Sequence, residues 1–184
     1  MIKIEKPRNG SVYLMKKIFF LFFTLSILVN GYVQKVNSNE FKKEMDYSAN
    51  LLDGMELINK GEYTEGVKKC EEAIKIRPEE KLGYLCKGLG LGFSGNKFTE
   101  REALKSFTKA IEIDPEFYEA YFFRGMFHFR GMFQFSIEKR LMDKTDRIAC
   151  SDMKKAYNND VSYAIDFVNN NKTLLKNYKC SGFK

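Results

Sequence analysis

The chain has 184 residues, 44% of them hydrophobic and 30% charged, an ordinary globular composition that excludes disordered and fibrous classes. Its formal net charge is +7, but five bases and one acid fall within residues 1–31, leaving 26 bases and 23 acids for the remainder. So close a balance does not make a phosphate-binding surface, and no nucleic-acid partner is expected.

The chain opens on a targeting layout. Lys16 and Lys17 precede "IFFLFFTLSILV" (18–29), an uncharged run of twelve residues followed by polar Asn30 and small Gly31. A basic flank, a short apolar stretch and small residues near a cut site describe a secretory signal. A membrane-spanning helix wants about 20 apolar residues, so this run is short for one. Residues 1–31 are therefore expected to be a signal peptide cut after Gly31, with Met15 an alternative start. The protein should be exported to the periplasm, cell envelope or exterior; an uncleaved anchor is the alternative. Residues 32–46 read as a polar linker.

From residue 47 the sequence repeats itself. "EGVKKCEEAIKIRPEE" (65–80) aligns with "EALKSFTKAIEIDPEF" (102–117), placing Ala73, Ile74, Ile76 and Pro78 over Ala110, Ile111, Ile113 and Pro115 at a spacing of 37. Gly54, Gly88 and Gly125 recur 34 and 37 residues apart. A fixed period of this size marks a solenoid. Apolar residues three and four apart give each segment one helical face. Glycine in mid-helix costs about 1 kcal/mol relative to alanine, which makes sense where a neighbouring helix comes close. Pro78 and Pro115 stop helices, and "NKGEY" (59–63) and "FSGNKF" (93–98) supply turns.

On these residues the chain resembles the tetratricopeptide repeat family, TPR. Tyr63, Gly54, Gly61, Ala73 and Pro78 suit the first repeat; Tyr84, Gly88, Ala103, Phe107, Ala110 and Pro115 suit the second; Tyr121 and Gly125 open the third. Gly66 and Asn50 depart from the family's usual alanine and large aromatic. The resemblance implies an all-α, right-handed solenoid of about three helix-turn-helix repeats, 47–80, 81–117 and 118–160. In the third, "ACSDMKKAYNND" (149–160) is the second helix, after an insertion that includes "SIEKRLMDKTDR" (136–147). Residues 161–184 should form a C-terminal capping helix and tail, since terminal repeats need a more polar outer face.

The aromatic stretch "AYFFRGMFHFRGMFQF" (120–135) is then the first helix of repeat three, and its doubled Arg-Gly-Met-Phe is an accident of composition. His128 falls at a core position, as a packed imidazole rather than a ligand. Leu51 and Met55, Leu85 and Leu89, and Phe122, Met126 and Phe129 form an apolar stripe that in the family lines the concave, peptide-binding surface. This stripe is expected to be a groove for a partner protein, unless the chain's own C-terminal helix or the 136–148 segment covers it. Homo-oligomerisation through the same surface is the alternative.

No catalytic motif is present. The glycines of "GLGLGFSG" (88–95) follow a helix rather than a strand, so they fail the context of a nucleotide loop. One histidine and cysteines without CxxC spacing leave no zinc site. Neither enzyme, metal nor cofactor is expected. In an oxidising compartment the four cysteines Cys70, Cys86, Cys150 and Cys180 suggest two bridges. Three pairings are open; Cys70–Cys86 with Cys150–Cys180 is the one to test first.

Overall fold

The computed structural model describes residues 9–95, 97–134, 139–178 and 180–183; at some helix positions, chiefly 9–23 and 130–146, it describes the backbone alone. These residues contain eight helices and no strand: α1 (Asn9–Asn59), α2 (Tyr63–Ile76), α3 (Lys81–Phe93), α4 (Lys97–Ile113), α5 (Tyr118–Gln134), α6 (Lys139–Asn158), α7 (Ser162–Asn170) and α8 (Lys172–Asn177).

The chain divides into two compact units, Met1–Met45 and Asp46–Lys184. The first is helical from Asn9. The stretch expected as a linker (32–46) is therefore helix, because "EFKKEMD" (40–46) lacks proline and is rich in good helix formers. No described helix is long and apolar enough to cross a membrane.

The second unit is a helical solenoid. The end of α1 pairs with α2, where Gly54 meets Cys70 and Gly66 meets Ile58; α3 pairs with α4 and α5 with α6, and each pair stacks on the next. Turn chemistry sets the first corner. Gly61 has φ +84°, and Glu62 N–H donates to the Leu57 carbonyl at 2.9 Å, which closes the end of α1 over a left-handed residue. Asp160 at φ 60° performs the same turn after α6, with Val161 N–H reaching the Ala156 carbonyl at 3.2 Å.

Small residues let the helices meet. A Cβ built on Gly54 would fall 2.9 Å from Cys70 Sγ and 3.1 Å from Cys86 Sγ. Those two sulfurs are bonded to each other, joining α2 to α3, with Cα atoms 5.7 Å apart. A second disulfide, Cys150–Cys180, ties the C-terminal tail to α6 across a Cα separation of 5.4 Å. Loops of 16 and 30 residues are closed by these bonds, and constraint of the unfolded chain at such lengths is worth roughly 3 kcal/mol each.

Rings fill the remaining seams. Phe107 and Phe127 stack at 5.6 Å, Phe107 and Phe123 at 6.2 Å, and Phe93 meets Phe127 edge-on at 5.4 Å. Ala103, Ala110 and Ala120 are fully buried around them. Gly88 and Gly92 lie under the Phe107 and Phe127 rings, so the glycine run of α3 is a packing surface.

Two segments depart from expectation. The insertion of the third repeat extends α6, which begins at Lys139, because its Lys, Arg, Leu and Met residues favour helix and it holds neither glycine nor proline. The closing helix is two helices, α7 and α8, broken at Asn171 within the run Asn169-Asn170-Asn171. Asparagine competes with helix by bonding local backbone.

Gly88→Ala tests the close approach. Alanine would gain about 1 kcal/mol of helix propensity, but its Cβ would sit 2.5 Å from Phe107 Cε1, an overpacking that costs about 1–3 kcal/mol. The variant should show a net loss of stability by urea denaturation; a gain would mean the ring moves freely.

Candidate protein-binding face

The first helices of successive pairs lie beside one another, the end of α1 against α3 and α3 against α5, and share one face of the stack. On this face the seven residues of the apolar stripe separate into two groups. Leu85 and Leu89 are buried at 6% and 8% exposure, in a core with Ala103, Phe107 and Phe127. Phe122 and Phe129 are buried at 5% and 2%, packed with Ala149, Met153, Val161 and Val168. These four are therefore not available as groove residues. Leu51, Met55 and Met126 are half-buried at the margins of the same clusters.

The covering of Phe122 and Phe129 has an identifiable source. Phe122 meets Tyr163 at 4.8 Å and Phe167 at 6.1 Å, both from α7. Phe129 meets Phe167 at 6.3 Å and Tyr178 at 5.5 Å. An amphipathic helix of the chain itself thus lies on the third repeat and presents aromatic rings to it. Each such pair adds about 0.5–1.5 kcal/mol beyond area burial.

On the first helices of the first two repeats the exposed apolar side chains stand at positions that are not equivalent to Phe122 and Phe129. Leu52 is 70% exposed and Leu82 is 40% exposed, while Leu51 and Met55 are half-buried. Neither Leu52 nor Leu82 belonged to the expected stripe. Each lies three residues before a member of it, Met55 and Leu85, so helical spacing could have included them. Spacing could not say that these would be the open ones.

The polar residues of α5 serve the packing. Arg124 Nε and Nη2 donate to the two Asp152 carboxylate oxygens at 2.7 and 2.9 Å, and Nη1 donates to Thr108 Oγ1 at 3.1 Å. This fork joins α4, α5 and α6. Burial, the largest influence on Arg124, works against its charge, but the hydrogen bonds and charge of Asp152 outweigh it and hold the guanidinium above its usual value. Lys155 Nζ donates to Tyr121 Oη at 2.8 Å and lies 4.2 Å from that ring's centre. His128 is half-buried; burial, and then the nearby Arg124 charge, push it down to about 4, so it is neutral at ordinary pH. The second Arg-Gly-Met-Phe copy, 130–133, has side chains outside the described residues. Among the described residues, no cluster of three or more His, Cys, Asp or Glu could hold a metal ion.

No sequence-family profile matches the chain, and no curated relative matches it in sequence. Among solved structures it is similar to the TPR2B domain of yeast Sti1 in complex with pHsp70. There the identity is 24%, the TM-score 0.50, and the match covers 72% of this chain and 90% of that one. It is also similar to the TPR2AB domain of yeast Sti1 in complex with pHSP90, at 20% identity and a TM-score of 0.54, covering 79% of this chain and about half, 53%, of that one. These likenesses show the fold.

Two outcomes test the division of the stripe. Leu89→Glu places a charge in the core and should cost more than about 3 kcal/mol, while Leu52→Glu should leave the melting temperature within a few degrees of the parent. Equal, small effects would mean that Leu89 is open to solvent. His128 supplies a pH test. Folded, it stays neutral down to about 4; unfolded, it takes its proton near 6.5. The unfolded state binds more protons in that window, so stability should fall as pH drops from about 6.5 towards about 4. Thermal melts of His128→Phe should lack that part of the decline.

Proposed function

With a tetratricopeptide-repeat fold as the premise, we propose that this chain is a non-catalytic protein-binding module. Its first-helix face, over the first two repeats, takes an apolar-faced helical segment of a partner protein. One observation carries this reading. The third repeat already holds such a segment, α7, through Tyr163 and Phe167, while Leu52 and Leu82, on the first helices of the first two repeats, are left exposed. A helix laid in a groove of this kind is anchored by side chains at i, i+3, i+4 and i+7. The similar Sti1 structures are complexes as well, with pHsp70 and with pHSP90, which supports a protein partner in general and identifies none.

We further propose that the module is exported and acts as an adaptor in the periplasm, envelope or exterior. Support comes from the basic flank and apolar run of residues 16–29 and from two disulfides, Cys70–Cys86 and Cys150–Cys180, which persist in oxidising compartments.

The test is crosslinking in intact cells followed by mass spectrometry, with Leu52→Glu/Leu82→Glu alongside the parent. One or two proteins crosslinked to the parent and lost in the variant, with helicity unchanged, is the expected result. Crosslinks to a second copy alone would make the face an assembly surface instead. The same spectra report the amino terminus, expected at Tyr32; a cytosolic chain retaining residues 15–31 would overturn export.

A further inference from the structure

The C-terminal end of the stack holds a second surface, apart from the first-helix face. An open cleft of about 530 Å³ lies between α6, α7, α8 and the tail, within the 300–1,000 Å³ range typical of ligand sites. Its apolar lining is Tyr157, Val168, Leu175 and Phe183, and its charged lining is Lys172 and Lys176. Val168 and Leu175 are buried, at 5% and 3% exposure, so the floor is fixed. The Cys150–Cys180 disulfide and the edge-on contact of Tyr157 with Phe183 at 5.3 Å hold the tail side in place.

The two lysines carry the inference. Elsewhere in the array Lys60, Lys69, Lys81, Lys87, Lys105 and Lys109 each face a carboxylate. Lys172 and Lys176 face none among the described residues, and both are exposed. They stand four apart on one helix, where like charges repel. The sequence offers nothing to neutralise them locally: from Phe167 to Lys184 there are four lysines and no Asp or Glu. A paired cation site beside a rigid apolar floor matches a ligand that carries negative charge next to an apolar side chain.

The tail adds a further requirement. Ser181 and Phe183 line the cleft, and among the described residues Ser181, Gly182 and Phe183 make no backbone hydrogen bond. Gly182, at φ +83°, turns the tail here, and backbone N–H and C=O groups at such a turn can take hydrogen bonds from a bound chain. An aliphatic acid would use the lysines and the floor but leave those groups unpaired; a peptide uses all three.

We propose that this cleft binds an acidic peptide segment, with an apolar side chain on the Val168–Leu175 floor, carboxylates on Lys172 and Lys176, and backbone groups within reach of Asn169 and Ser181. The partner is an acidic stretch of another protein, and the site is independent of the Leu52–Leu82 face.

Fluorescence anisotropy on the full chain tests this, using a labelled peptide in which glutamate alternates with leucine. The peptide should bind, lose affinity as salt is raised, and be weakened about tenfold or more by Lys172→Glu/Lys176→Glu. Both positions are exposed, so helicity by circular dichroism should not change. Leu52→Glu/Leu82→Glu should leave the affinity as it was, which separates this site from the first-helix face. Unaltered binding in the lysine double variant would overturn the proposal. So would saturation by dodecanoate with no peptide binding, or equal binding of a peptide with lysine in place of glutamate.

Discussion

Everything in this fold depends on one helix having almost no side chain where the next places a ring or a sulfur. Gly54 lies within van der Waals distance of a disulfide, and Gly88 and Gly92 lie under phenylalanine rings. Ala103, Ala110, Ala149 and Ala156 are fully buried along the same seams. Contact at that range lets bulky groups fill the interior at crystal-like density. The helix propensity lost at each glycine is about 1 kcal/mol, less than a buried phenylalanine contributes by leaving water.

That same packing decides where binding is open. Phe107, Phe123 and Phe127 build a ring column through the second and third repeats, and it draws Leu85 and Leu89 into the core. The third repeat adds a face that its own α7 occupies. The interaction that closes the array and the interaction proposed for its partner are thus of one kind: an amphipathic helix against apolar first-helix residues. What differs is supply. Among the described residues the chain provides one such helix, α7, and it covers the third repeat.

The two ends also differ in charge. Along the repeats several cations face acids, some on neighbouring turns and some across helices, and the exposed pairs among them are individually weak. Beyond Asp166 no acid remains in the sequence, and the lysines of α8 stand over a cleft instead. The Cys150–Cys180 bond holds that arrangement, since it fixes the tail against α6. One disulfide therefore joins the first two repeats and the other shapes the last surface of the stack.

Much of the architecture was legible in the sequence because a repeat states its physics several times. Gly54, Gly88, Ala73, Ala110, Pro78 and Pro115 recur at a fixed spacing, and each has one local reason to be there: close approach or helix termination. Helix spacing likewise placed Leu51, Met55, Leu85, Leu89, Phe122, Met126 and Phe129 on one stripe. It could not tell which of them stay open, because exposure belongs to whatever lies opposite. For Phe122 and Phe129 that is Tyr163, Phe167 and Tyr178, some 38 to 49 residues along the chain. The helical course of 32–46 and the lengthened α6 were missed for a different reason, since polar helix formers without a period carry no signal of their own. Local spacing determined the repeats; the distribution of buried and open surface was decided by contacts between segments far apart in sequence, which only the folded chain brings together.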